Sequence, residues 1–90
     1  MSLTLLEFTN VETIADFFAQ LEGQLELDYE LGHNLDAVYD VLTSELDGPA
    51  ELVWHNTDLA RIHLGDWFVR ILDVIHTAAA DRGDLTVSLQ

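Results

Sequence analysis

The apolar residues of this chain fall into short runs and helical stripes that alternate along its length. Residues 3–8 form an apolar run of strand length. The next apolar residues recur at spacings typical of one helix face: Ile14, Phe18, Leu21 and Leu25. Residues 9–12 fit a capping box that would begin this helix. The N-terminal part therefore predicts a strand followed by an amphipathic helix.

A second helix is predicted after an acidic connection at residues 26–30. Gly32 favours a turn, and Asn34 is a good N-cap because its side chain can accept a hydrogen bond from a free amide of the first turn. Residues 47–49 (Asp-Gly-Pro) should end the helix, since proline cannot continue it. Residues 50–55 then have the pattern of a buried strand.

The last third of the chain predicts two more helices and a final strand. Asn56 or Thr57 could cap a short helix that Gly65 ends, and Asp66 could cap a longer helix. Gly83 would close the longer helix, whose inward residues are predicted to be Phe68, Ile71, Leu72, Ile75 and Ala79. Residues 85–90 alternate between apolar and polar types, which indicates a strand with one covered face and one wetter face.

The predicted order of elements is β-α-α-β-α-α-β. Long helical connections between strands favour parallel pairing with right-handed crossovers. We therefore expect an α/β fold with a three-stranded parallel sheet and four helices. The absence of linkers, repeats and low-complexity segments predicts a single domain over residues 1–90.

Composition narrows the class of protein. The chain is 49% hydrophobic, yet no apolar run approaches the roughly 18–20 residues that a transmembrane helix needs. The N-terminal residues lack the basic start and small-residue cleavage site of a signal peptide, so we expect a cytoplasmic protein that does not enter membranes. Because there is no cysteine, disulfides and thiolate chemistry are excluded.

The charge of the chain is strongly negative and unevenly placed. Seventeen acids and three arginines give a net charge of −14. Residues 1–60 hold 13 acids and no base, whereas residues 61–90 hold 4 acids and 3 arginines. Such a balance argues against binding nucleic acid. A general requirement for solubility, or a salt-rich host, would explain a high content of acids as such. The concentration of these acids in residues 1–60 instead favours a basic protein partner.

The second predicted helix carries a polar stripe of its own. At 100° per residue from Leu35, the side chains of Thr43, Asp36 and Asp40 fall at about 80°, 100° and 140°. Asp36 lies in the first turn, where the helix dipole favours a carboxylate. Asp40 lies beyond that turn and repels Asp36, so helix stability explains it poorly. Asp40 is therefore the strongest candidate for a residue that serves a partner.

The chain resembles the barstar family along nearly its whole length. The most specific match is residues 32–43, where Gly32, Asn34-Leu35-Asp36-Ala37, Tyr39-Asp40 and Leu42-Thr43 agree with the family. Residues 52–54 and 83–86 and the order of elements agree as well. The resemblance implies a barstar-like fold and an intracellular inhibitor that forms a one-to-one complex with a basic, extracellular, guanyl-specific ribonuclease.

The resemblance also implies how such a complex would form. An acidic helix would occupy the phosphate-binding site of the enzyme, with Asp40 entering the phosphate pocket and Asp36 pairing with an arginine. The implied surrounding contacts come from Gly32, Asn34, Leu35, Tyr39 and Thr43.

Four positions depart from the family pattern. Glu30 stands where barstar has an aromatic residue that packs on the ribonuclease, and Thr77 stands where barstar has an acid. Tyr39 replaces a tryptophan, and Val41 replaces a cysteine. Glu30 and Thr77 therefore remain candidate partner-binding residues whose identity bears on target preference.

Other chemistries find little support in the sequence. The four histidines show no metal-ligand spacing, and residues 26–30 lack the glycine and terminal glutamate of a calcium loop, so we expect no metal or cofactor. The chain has no glycine-rich phosphate loop and no nucleophile elbow, so we expect no enzyme. Trp54 and Trp67 are interpreted as packing aromatics. The alternative function is a barstar-like immunity or interaction module that binds a different basic toxin or regulator.

Overall fold

The computed structural model describes residues 3–90 and has the element order that the sequence predicts. Met1 and Ser2, which belong to the predicted domain, lie outside the described residues. The elements are β1 (Thr4–Phe8), α1 (Ile14–Gln24), α2 (Leu35–Ser44), β2 (Ala50–Trp54), α3 (Thr57–Leu64), α4 (Asp66–Arg82) and β3 (Leu85–Leu89). Within residues 3–90, each helix is too short or too polar to cross a lipid bilayer.

The three strands form one parallel sheet in the order β1-β2-β3, which confirms the predicted pairing. Thr4 pairs with Ala50 at one end of the first ladder, and Phe8 pairs with Trp54 at the other. One sheet face is partly open, as the alternation in the last strand predicts. Leu5 and Glu7 of β1 and Thr86 of β3 are exposed there.

The core is built around a stack of aromatic rings that joins the sheet to α1 and α4. The ring of Phe17 stacks on Phe8 at 4.7 Å and on Trp54 at 5.5 Å between centroids. Phe68 meets Trp54 edge-on at 5.2 Å. All four side chains are essentially buried, and aromatic pairs of this kind stabilise by about 0.5–1.5 kcal/mol each beyond the apolar area they bury.

Trp67 departs from the packing role expected of it. Its side chain remains 40% exposed and lies under the guanidinium of Arg70, 5.6 Å from the ring centroid. Trp67 directly precedes the inward-facing Phe68, so the helix rotation that buries Phe68 turns Trp67 toward solvent.

The helix starts differ from the predicted caps at two positions. The capping box of α1 is formed by Thr13 and Asp16 rather than by residues 9–12: the Thr13 hydroxyl accepts from the Asp16 amide at 3.0 Å, and the Asp16 carboxylate accepts from the Thr13 amide at 3.1 Å. Gly65 rather than Asp66 occupies the N-cap of α4, and Asp66 is the first helical residue. There its carboxylate still benefits from the positive end of the helix dipole.

Between the two residues considered for the start of α3, the structure places Asn56 at the N-cap. Its side chain makes no capping hydrogen bond and instead donates to the side chain of Asn10 at 2.8 Å. At the other end of the helical segment, Gly83 closes α4 in the left-handed conformation, as predicted.

The outer edge of β1 is closed by two glutamine side chains from α1. The Gln24 amide accepts from the Glu7 N–H at 2.7 Å and donates to the Glu7 carbonyl at 2.6 Å. Gln20 makes the same pair of bonds with Thr9, at 3.0 and 2.8 Å. Each amide thus replaces one residue of a missing fourth strand, which protects an edge that would otherwise pair with another chain.

Arg82 fixes α2 relative to α4. One terminal nitrogen donates to the carbonyl of Leu42 in the last turn of α2 at 2.9 Å and to that of Leu46, just beyond the C-cap, at 2.6 Å. Its other two nitrogens hold the Asp84 carboxylate at 2.8 and 3.1 Å. The Arg82 side chain is only 11% exposed. These bonds satisfy carbonyls that a helix end leaves unpaired and join α2 to the start of β3.

Gly48 makes room for this arrangement. A Cβ atom at position 48 would lie 1.8 Å from an oxygen of Asp84 and 2.5 Å from a nitrogen of Arg82. Any side chain here would have to displace the ion pair. The hydrogen bonds from Arg82 also lower the pKa of Asp84 below its ordinary value of 3.8. The pair therefore stabilises the fold above that ordinary value, and its contribution is lost as the pH falls through the lowered pKa.

We expect Arg82→Leu to lower the free energy of unfolding by about 2–4 kcal/mol, because it leaves two helix-end carbonyls and one carboxylate without their donor. Urea denaturation followed by circular dichroism measures this change. The matched control is Arg61→Leu, which removes an exposed arginine that pairs with Asp58 at 3.3 Å and lies over the ring of Phe68 at 5.5 Å, and which should cost less than about 1 kcal/mol. Equal losses in the two variants would contradict the role given to Arg82.

Candidate functional site

The N-terminus of α2 is set by a side-chain cap. The Asn34 side-chain oxygen accepts from the Ala37 amide at 2.8 Å, as predicted for an N-cap. Gly32 lies so close that a Cβ atom there would stand 2.9 Å from the Asn34 side-chain nitrogen. The absence of a side chain at position 32 therefore leaves the cap undisturbed, and the first turn of α2 is fixed where Asp36 emerges.

The two faces of α2 separate as the helical angles predict. Val38, Val41 and Leu42 are buried, whereas Leu35 and Tyr39 lie half-buried at the border. Asp36 and Asp40 are exposed. The four ion pairs found among residues 3–90 all involve other carboxylates. The two aspartates thus present their charge to solvent one helical turn apart.

Thr43 lies beside this pair, half-buried. Its hydroxyl donates to the Tyr39 carbonyl at 2.8 Å, four residues earlier in the helix. The proton of the hydroxyl is engaged in that bond, while its oxygen retains a lone pair that can accept from an outside donor.

Tyr39 connects α2 with α4 through a contact that the sequence analysis missed. Its hydroxyl donates to the carboxylate of Asp81. This hydrogen bond raises the pKa of Tyr39 above its ordinary value of 10.0, and partial burial and the charges of Asp81 and Asp40 add to the shift. Asp81 therefore adds a third carboxylate near the acidic face of α2. The two partners are 42 residues apart, and no periodicity in the sequence signals such a contact.

Tyr29 is a second residue that the sequence analysis left without a role. Its side chain is 47% exposed, although the next apolar residue, Leu31, is buried and anchors the loop. Partial burial raises the pKa of Tyr29, and the nearby charge of Glu45 contributes next. The charges of Asp28 and Asp40 act in the same direction. The aromatic ring thus lies among carboxylates from the acidic loop and from α2.

The two departure positions have no comparable connection to α2. Glu30 is exposed in the loop one residue beyond Tyr29. Thr77 is exposed on α4, and its hydroxyl donates to the Asp73 carbonyl of its own helix at 2.8 Å. Asp81 lies one turn beyond Thr77, so the carboxylate that α4 offers to the acidic face comes from position 81.

His33 holds the turn before α2 against α1. Its ring stacks on Phe18 with centroids 4.6 Å apart, and its Nε2 lies 2.7 Å from an oxygen of Glu22. The loop is therefore attached to the core just before the N-cap. Across residues 3–90, no group of three or more histidine, aspartate and glutamate side chains is arranged to hold a metal ion.

The chain is similar to known proteins along most of its length. A family model described as "Barstar (barnase inhibitor)" matches residues 1–90. A relative from Bacillus subtilis (strain 168), named "Putative ribonuclease inhibitor YrdF", is 33% identical over 78 residues, which cover 87% of this chain and 82% of the relative. The match to the family model spans the loop, α2 and the segment of α4 that carry the residues described above.

We expect the pKa of Tyr39 to lie above 10 and to move toward that value in Asp81→Asn, because the variant weakens the hydrogen bond and removes the charge that together favour the protonated phenol. Since the chain has two tyrosines, the measurement is made in a Tyr29→Phe background, with absorbance near 295 nm following tyrosinate formation. The control is Asp58→Asn in the same background, which should leave the titration unchanged. Identical curves with and without the Asp81 charge would contradict the contact.

Proposed function

The chain belongs to the barstar family, and from that premise we propose that it inhibits a small, basic, guanyl-specific ribonuclease by covering its active site in a one-to-one complex. The observation that carries the proposal is the exposed pair Asp36 and Asp40, which lies on one face of α2 without a salt-bridge partner among the described residues. The protein acts in the cytoplasm, on an enzyme that the cell makes for export.

The mechanism is imitation of a nucleic acid backbone by fixed carboxylates. Residues four apart on a helix lie about 6 Å apart, a spacing that lets two carboxylates meet neighbouring cationic groups. A ribonuclease binds phosphates with arginine, lysine and histidine, and the same groups form charge-assisted hydrogen bonds with carboxylates. Asp40 enters the phosphate pocket, and Asp36 pairs with an arginine at its rim.

The scaffold supports this mechanism because it fixes α2 at both ends. The Asn34 cap sets the first turn, and Arg82 holds the last carbonyls. A helix that is already in place loses little conformational entropy on binding, so more of the electrostatic attraction appears as affinity. Aspartate also has fewer rotatable bonds than glutamate, which reduces the entropy lost when its carboxylate is fixed.

The remaining contacts surround the two aspartates. We propose that the binding surface includes Gly32, Asn34, Leu35, Tyr39 and Thr43, with Glu30 and Thr77 at its margin. Tyr39 is already oriented by Asp81, and its side chain is only half-buried. No residue in this proposal has a catalytic role.

The departures at positions 30 and 77 favour one alternative, in which the same face binds a different basic toxin or regulator. A panel of purified guanyl-specific ribonucleases, each assayed for RNA cleavage with increasing inhibitor, separates the two. Stoichiometric inhibition of at least one enzyme supports the proposal. Full activity of every enzyme, together with recovery of another basic protein on the immobilised inhibitor, favours the alternative.

We expect Asp40→Ala to separate function from stability. The free protein should be as stable as the wild type or more stable by up to about 1 kcal/mol, because alanine is the better helix former and a like-charge neighbour of Asp36 is removed. Inhibition should weaken by about 2–5 kcal/mol, or roughly 30-fold to several-thousand-fold, since cationic groups of the enzyme are left buried without a partner. This range draws on the energies of close charge pairs in the complex of barstar with its ribonuclease.

Thermal melts and inhibition assays on the same Asp40→Ala sample test this expectation. The matched control is Asp58→Ala, which removes an equal charge from an exposed position in the first turn of α3 and should leave inhibition unchanged. A lower melting temperature with unchanged inhibition would show that Asp40 serves the fold instead.

We also expect association to be steered by charge. The 13 acids of residues 1–60 create a field that attracts a basic enzyme, and added salt shortens the range of that field to about 10 Å at 0.1 M. The association rate, measured by stopped-flow fluorescence, should fall several-fold between low and high salt while the dissociation rate changes less. A salt-independent association rate would contradict electrostatic steering.

A further inference from the structure

A groove between α3 and α4 leaves apolar side chains in contact with solvent. Its volume is about 470 Å³, and its lining includes Arg61, Phe68, Val69, Leu72, Asp73 and His76. Val69 is 64% exposed, and Ile62 on the neighbouring helix is 78% exposed. Val69 and the half-buried Leu72 thus give the groove an apolar side that no described residue of the chain covers.

The charges around this groove differ from those of the rest of the chain. Residues 57–76 hold three acids and two arginines, a net charge of −1, so the remaining residues carry −13 of the total −14. The third arginine, Arg82, is committed to α2. Arg61 and Arg70 instead lie over the rings of Phe68 and Trp67, at 5.5 and 5.6 Å. A second copy of this chain, which carries the same net charge, is therefore repelled least at this surface.

Arg70 and Asp73 make the surface complementary to itself. Both are exposed, and residues three apart lie on the same face of a helix. If two copies of α4 lie antiparallel about a twofold axis, Arg70 of each copy meets Asp73 of the other. We propose that this groove is a homodimer contact built on that pair of reciprocal ion pairs.

The same register fills the groove. When Arg70 of one copy lies opposite Asp73 of the other, Val69 lies opposite position 74, between Leu72 and His76. The exposed Val69 side chain of each copy therefore enters the apolar groove of its neighbour. A twofold contact of this kind closes on itself, so it produces a dimer and no larger assembly.

The dimer leaves the acidic face of α2 free. Asp81 and Arg82, which contact α2, lie at the C-terminal end of α4, eleven or more residues beyond Arg70. At 1.5 Å per residue, this places them about 16 Å further along the helix. Asp36 and Asp40 of each copy thus stay free, and a dimer holds two ribonuclease molecules through them, whereas Thr77, one turn beyond Asp73 on α4, lies at the edge of the dimer contact.

Sedimentation equilibrium in 150 mM NaCl tests the proposal with charge reversals. The wild type should dimerise at concentrations below about 1 mM, and Arg70→Asp and Asp73→Arg should each weaken the dimer by about tenfold or more, since two attractive contacts become repulsive. An equimolar mixture of the two variants should form dimers again. The double variant R70D/D73R, which keeps the net charge of the wild type, should dimerise within about threefold of it.

Glu12→Arg is the matched control, because it changes the net charge as Asp73→Arg does at an exposed position outside the groove. It should leave the dimer constant within about twofold. All of these positions are exposed, and circular dichroism confirms that each variant is folded. A wild type that stays monomeric up to about 1 mM, or single reversals that neither weaken the dimer nor restore it on mixing, would overturn the proposal.

Discussion

The hydrogen bonds of a single guanidinium hold this fold in the form that the acidic face requires. Arg82 is one of three arginines in a chain of 90 residues without lysine, and it is nearly buried at the end of α4 between the end of α2 and Asp84, which precedes β3. Its guanidinium donates hydrogen bonds to two backbone carbonyls and to one carboxylate, and the carboxylate also balances its charge. Without this compensation a buried cation would be costly. Arg82 thus fixes the C-terminal end of α2, as the Asn34 cap fixes its first turn, and both contribute to the direction of Asp36 and Asp40.

Features with a regular period were predictable from the sequence. The strand and helix order, the parallel sheet and the exposed positions of Asp36 and Asp40 follow from periods of two and 3.6 residues, which act locally. The cap of α1 was misplaced because Thr9-x-x-Glu12 and Thr13-x-x-Asp16 both fit the capping pattern, and only packing of the following helix selects between them. The bonds of Tyr39 with Asp81 and of Gln24 with Glu7 join distant segments, and no local pattern encodes them.

Acidity serves different purposes in different parts of the molecule. Asp16 caps a helix and Asp84 pairs with Arg82, so these carboxylates stabilise the fold. Asp36 and Asp40 repel each other on one helix without an ion pair among the described residues, so the folded chain gains nothing from their proximity. That cost is acceptable in a protein whose core is already held by a continuous aromatic stack. It is consistent with a surface shaped by the charge of a partner.

The glutamines that close the edge of β1 also set a limit on the evolution of this chain. Seventeen positions carry an acid, and glutamate differs from glutamine by a single group of nearly the same size. At positions 20 and 24, however, that exchange would replace the amide that donates to a strand carbonyl by an oxygen that repels it. Replacement of either glutamine by glutamate should therefore be disfavoured even where selection favours more acidic residues. A search for more acidic descendants of this protein should find both amides unchanged long after the surrounding surface has drifted.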